Sequence, residues 1–85
     1  MIRYASWVSW IPGSGTITLF DDRDGSYHAL NASASAIWAA IGEGRQPHEI
    51  GDTLAAAHRA PLAAVQQDVA EFVAAALDRG LLVSD

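Results

Sequence analysis

The sequence predicts an α+β fold: a three-stranded antiparallel β-sheet followed by three α-helices, the arrangement of a winged helix-turn-helix. Three observations lead there. The first third is rich in β-branched and aromatic residues and is broken by two glycine-bearing turns. The remainder is rich in alanine, with apolar residues recurring at helical spacing. Strands and helices are segregated rather than alternating, which argues against a parallel sheet with crossover helices.

Tyr4 to Ile11 is the first predicted strand, and Pro12-Gly13-Ser14-Gly15 closes it as a turn. Thr16 to Phe20 alternates β-branched and large apolar residues and is the second. Asp21-Asp22-Arg23-Asp24-Gly25 is a polar turn with Gly25 suited to positive φ, and Ser26 to Leu30 pairs back as a short third strand. Asn31 is an N-cap for a helix whose inner stripe is Ala34, Ile37, Trp38 and Ile41. Gly42-Glu43-Gly44 ends it, and Pro47 opens a second helix with Ile50, Leu54 and Ala57 inside. A third helix starts near Pro61 and carries a stripe from Leu62 through Val65, Val69, Phe72 and Val73 to Leu77. Gly80 is placed for a left-handed C-cap, and Leu81-Leu82-Val83 for a brief extended ending.

Eighty-five residues are expected to form one domain spanning residues 1–85, with a thin margin of stability. There is no cysteine, which excludes disulfides, thiolate metal sites and a cysteine nucleophile. No apolar run approaches the roughly 20 residues that span a bilayer, and the N-terminus lacks the pattern of a signal peptide. A cytoplasmic protein with no membrane partner is expected. Net charge is −5, and the five cations are arginines scattered along the chain. Nucleic-acid affinity needs clustered cations that release counterions, so no nucleic-acid partner is expected. The seventeen alanines are read as coding bias plus helix preference, with no functional assignment.

Candidate chemistry is sparse. His28, His48 and His58 form no i, i+4 pair and no H-E-x-x-H pattern, so no metal site is expected. Asp21, Asp22 and Asp24 lack the distant glutamate of a calcium loop and read as a solvated turn. Asn31-Ala32-Ser33 matches a glycosylation acceptor, but the capping role accounts for Asn31. No nucleophile motif, phosphate-cradling loop or acid–base pair is present, and the chain is expected to be no enzyme, with no catalytic residue and no cofactor. Trp38 reads as core; Trp7 and Trp10 read as opposite faces of one strand. The third predicted strand remains: five residues, Ser26 to Leu30, without the Lys or Pro that usually blunts an edge. Such an edge can accept a strand from another peptide.

Residues 16 to 82 resemble the PqqD-like family of peptide-binding domains, the recognition elements of ribosomally made, post-translationally modified peptide (RiPP) pathways. The resemblance lies in "LFDDRDGSYHALN", ending in Leu30-Asn31, in Ile37-Trp38, in Gly44 to Leu54, in Asp68-Val69 and in Gly80-Leu81-Leu82. It implies a winged-helix-like domain that captures the leader of a precursor peptide as an added strand, in a groove between strand three and helix three. Carried over, Tyr27, His28 and Ala29 would meet the leader, and Val65, Asp68, Val69 and Phe72 would line the helical wall. Val65, Asp68 and Phe72 share one flank of the helix within about 60°. Asp68 would pair with a leader cation or amide.

The form of the turn is most similar to stand-alone leader-binding proteins of lasso-peptide clusters. That implies a precursor peptide, a cysteine-protease-type leader peptidase and an ATP-dependent cyclase as partners, and a monomer or weak homodimer. The alternatives are a peptide chaperone for a radical-SAM enzyme in pyrroloquinoline-quinone-type biosynthesis, a winged-helix DNA-binding regulator, and a structural subunit of a larger enzyme.

Overall fold

The segment expected to be one strand divides in two. The computed structural model, which describes residues 1–85, has β1 at Ile2–Tyr4 and β2 at Val8–Pro12. Between them Val8 N–H donates to the Ala5 carbonyl at 3.2 Å, and Ala5 is buried. The Trp7 indole N–H donates to the Gly80 carbonyl at 2.8 Å, so the bend is fixed from the far end of the chain. β1 therefore pairs antiparallel with β5, Leu82–Ser84, as a separate two-stranded ribbon. Trp7 lies in the turn rather than on a strand, half-buried, while Trp10 stays on β2.

The main sheet has the order β2-β3-β4, with β3 at Ile17–Asp21 and β4 at Ser26–Leu30, all antiparallel. Leu19 sits opposite Trp10 on one side and His28 on the other. Leu19 is fully buried, so this row faces inward, and with it go Val8, Asp21 and Leu30 by the two-residue alternation. Ile11, Thr18, Phe20, Tyr27 and Ala29 face outward. Gly25 has φ 74° and donates to the Asp21 carbonyl at 2.9 Å, which closes the β3–β4 turn. The turn is not wholly solvated: Asp21 is buried and pairs with Arg23 at 2.7 Å.

Helix α1, Ala32–Gly42, is capped by Asn31, whose side-chain oxygen accepts from Ala34 N–H at 2.8 Å. Ile37, Trp38 and Ile41 are buried, and Ala34 is only half-buried. Helix α2, Pro47–His58, begins with a capping box formed by Gln46 and Glu49. Its buried face is Ile50, Gly51 and Ala55 with Leu54 beside them; Ala57 is exposed. Gly51 explains the rotation, because a Cβ there would come within 2.7 Å of Gln66 on α3. Helix α3, Leu62–Asp78, buries Val69, Val73 and Ala76. Its end is a Schellman-type stop: Gly80, φ 72°, donates to Leu77, and Leu81 donates to Ala76 at 2.8 Å.

The core gathers twelve buried residues from every layer, with Trp38 and Leu19 among its fully enclosed side chains. Tyr4 stacks on Trp38 at 4.1 Å between ring centroids, and Trp10 meets Tyr4 edge-on at 4.5 Å. The Tyr4 hydroxyl donates to the Trp38 carbonyl, and burial raises its pKa above the usual phenol value. No helix is long and apolar enough to cross a membrane.

Candidate functional site

β4 is paired on one side only. Its five residues pair with β3, and no other strand of the chain pairs with its second edge. Its outward-directed amides and carbonyls are therefore available to another backbone.

Beside this edge, between β4, the start of α1 and the last turns of α3, lies an open groove of about 410 Å³. Small side chains make the space: Ala34, Ala75 and Ala76 line it beside the backbone of Ala29, while Phe72 and Leu81 give it an apolar floor. His28 and Arg79 supply the polar atoms at one end. The groove continues along α3. A second lobe shares Asn31, Ala34 and Phe72 with the first and adds Asp68 and Glu71. A third, smaller lobe of about 170 Å³ shares Asp68 and passes between α3 and α2, where Val65, Leu54 and His58 meet.

The end near Arg79 is held by a clamp built from the β3–β4 turn. Arg23 donates to both Asp21 carboxylate oxygens and to the Arg79 carbonyl at 2.8 Å, with its guanidinium 4.8 Å from the Trp7 ring centroid. The Arg79 carbonyl is one of the acceptors a helix leaves unpaired at its C-terminus, so a cation suits it. The side-chain hydrogen bond from Arg23 holds the Asp21 carboxyl below its ordinary pKa. Gly80, at φ 72°, supplies the left-handed turn here, and a Cβ on it would fall 2.7 Å from the Arg23 guanidinium and push that side chain aside. Asp24 is likewise lowered by the Ser26 hydroxyl, which also lies 3.1 Å from His28 Nε2.

The expected site residues fall as follows. His28, Ala29 and Phe72 meet in the first lobe, Asp68 and Phe72 in the second, and Val65, Asp68 and Val69 in the third. Val69 is itself buried and contributes mainly to the core. Tyr27 stands apart: its ring is 68% exposed and packs on Phe20 at 4.9 Å on the outward face. Only its backbone belongs to the edge. Ala75, Arg79, Leu81 and Ala34 also line the groove and escaped the sequence reading. The helical phase held the signal for two of them, since 68, 72, 75 and 79 follow i, i+4, i+7, i+11. His48 and His58 lie on α2, away from His28 on β4, and no cluster of three or more His, Asp or Glu forms.

A bare strand edge over an apolar trough, carried by a three-helix domain with a β-wing, defines a peptide-recognition module by its geometry. The chain belongs to the family described as coenzyme PQQ synthesis protein D (PqqD), whose model matches residues 16–82. Two solved structures share its fold over nearly the whole length. One is TbiB1 in complex with the TbiA(beta) leader peptide, 27% identical, with a TM-score of 0.89, covering 98% of this chain and 99% of that one. The other is lasso peptide synthetase B1 complexed with the leader peptide, 22% identical at the same TM-score, covering 98% of each chain. None of the curated proteins compared matches the sequence.

Proposed function

We propose that this protein binds the leader segment of a ribosomally made precursor peptide as an additional strand on β4 and delivers it to a modifying enzyme in lasso-peptide biosynthesis. The observation that carries this reading is the unpaired edge of β4 running beside the groove along α3. Family membership and the leader-bound state of both structural neighbours support it. Backbone hydrogen bonds to Ser26–Leu30 supply affinity that is independent of side-chain sequence. The trough around Phe72 then selects for apolar leader residues. Tyr27, His28 and Ala29 present the edge, Val65, Asp68, Val69 and Phe72 form the helical wall, and Ala75, Arg79 and Leu81 complete it.

The chain performs no catalysis itself. A leader peptidase of the cysteine-protease type and an ATP-dependent cyclase act on the peptide it holds. A DNA-binding role is disfavoured, because α3, in the place of a recognition helix, carries Asp68, Glu71 and Asp78 and no arginine.

Titration calorimetry with the synthetic leader of the precursor encoded beside this chain tests the reading. A micromolar or tighter Kd is expected, with Phe72→Ala weakening it by about tenfold, the scale of one anchoring aromatic. Absence of binding by that leader under these conditions rules the reading out.

A further inference from the structure

The groove is electrically polarised along its length. Asp68 and Glu71 line the lobe that adjoins Leu30-Asn31, and Arg79 lines the end that adjoins His28 and the β3–β4 turn. None of the three forms an ion pair within the chain. Glu71 accepts only from the neutral Gln67 amide at 3.2 Å. At the other end Arg23 is neutralised by Asp21, which leaves Arg79 as the uncompensated cation.

Direction follows from the sheet. β2, β3 and β4 are all antiparallel, and an added strand that continues the pattern runs opposite to β4. β4 itself runs from Ser26, beside the clamp on Arg79, to Leu30, beside the Phe72 and Asp68 lobe. The visiting strand therefore enters past Asp68 and Glu71 and leaves past Arg79. Eight to eleven helical residues separate those charges. At about 1.5 Å per residue that is about 12–16 Å, or about four to five residues of extended chain.

We infer that, given the leader-binding reading on which this rests, the protein recognises a charge-ordered leader: a Lys or Arg about four or five positions before an Asp or Glu, with apolar residues between them. The two charges fix orientation and register on an edge whose backbone bonds alone would accept a strand slid by two residues. Ion pairs at an open groove are each worth about a two- to fivefold change in affinity, so order is read from both together.

The test is selection of a random twelve-residue peptide library, displayed on phage, against the immobilised protein. Three targets are compared: the native chain, the charge-exchanged Asp68→Arg/Glu71→Arg/Arg79→Glu variant, and the groove-filled Ala75→Trp variant. All the altered side chains are exposed, and circular dichroism verifies that each variant is folded. Native protein is expected to enrich peptides with the cation ahead of the acid, and the exchanged variant the reverse order. A synthetic enriched peptide should bind the native chain about tenfold tighter than the same peptide with its two charges transposed. Enrichment without charge order, or with one order on both proteins, overturns the inference; loss of those peptides on Ala75→Trp would then show the leader-binding reading intact. Failure to enrich any peptide, or undiminished binding to Ala75→Trp, overturns both.

Discussion

The sheet has two edges of equal length, and they differ in what lies beside them. β2 and β4 are each five residues long and each pair with β3 alone. β2 ends in Pro12, which has no N–H to offer, and runs into a tight turn where Gly13 donates to Thr16. Its inward flank is filled, because Trp10 packs against Tyr4 and Trp38. β4 has no proline, and its flank is lined by alanines that leave a trough instead of filling it. An edge becomes a binding site when the neighbouring surface holds space for side chains. Residue size beside the strand, more than strand composition, separates the two.

The contrast breaks most readily by filling the trough. Ala75→Trp should lower leader affinity by more than about thirtyfold, roughly 2 kcal/mol, in calorimetry. The matching change on the other edge, Ser9→Trp, should leave it within about twofold. Next in size, Trp7→Ala removes a half-buried ring and its hydrogen bond to Gly80. A loss of about 2 kcal/mol in urea unfolding is expected, with weaker leader binding because the clamp beside Arg79 loosens.

The clamp also has a pH signature. Because Arg23 lowers the folded-state pKa of Asp21, the stabilisation by that pair is complete above the unfolded value of about 3.9 and is lost as pH falls through the lower folded value. Asp24 and Asp85 shift in the same direction and add to the same window. Arg23→Ala should raise the midpoint of acid unfolding followed by circular dichroism, while stability near pH 7 shows little further dependence on pH. The smallest effect belongs to the end of α2. Arg59 sits at φ 52°, a left-handed conformation costly for any residue with a Cβ. Arg59→Gly should add about 0.5–1 kcal/mol of stability and leave leader binding unchanged.

Local chemistry made much of this architecture readable. Asn31 caps α1, Pro47 opens α2, Gly80 turns the end of α3, and Ile37-Trp38 enter the core, each for reasons contained within a few neighbouring residues. The break at Ala5-Ser6-Trp7 was hidden because no Gly or Pro marks it; it is imposed by β5 and Gly80, more than seventy positions away. Ala57 and Ala55 are interchangeable by composition, and only the close approach of Gly51 to Gln66 sets which faces inward. The helix stop at Arg59 carries no glycine to announce it. For the groove, Phe72 and Asp68 were implied by the family resemblance, and their shared flank of the helix agreed with it. The helical alanines were not, because a small side chain that creates space reads in sequence as one that merely favours a helix.

The central claim concerns backbone groups, so backbone amides test it most directly. Hydrogen exchange of the amides of Ser26–Leu30 and Val8–Pro12, with and without saturating leader, compares the two edges in one sample. Protection of outward-directed β4 amides by at least about tenfold, with β2 unchanged, is the predicted result. Unaltered exchange along β4 in the presence of bound leader, or protection on β2 instead, would contradict it.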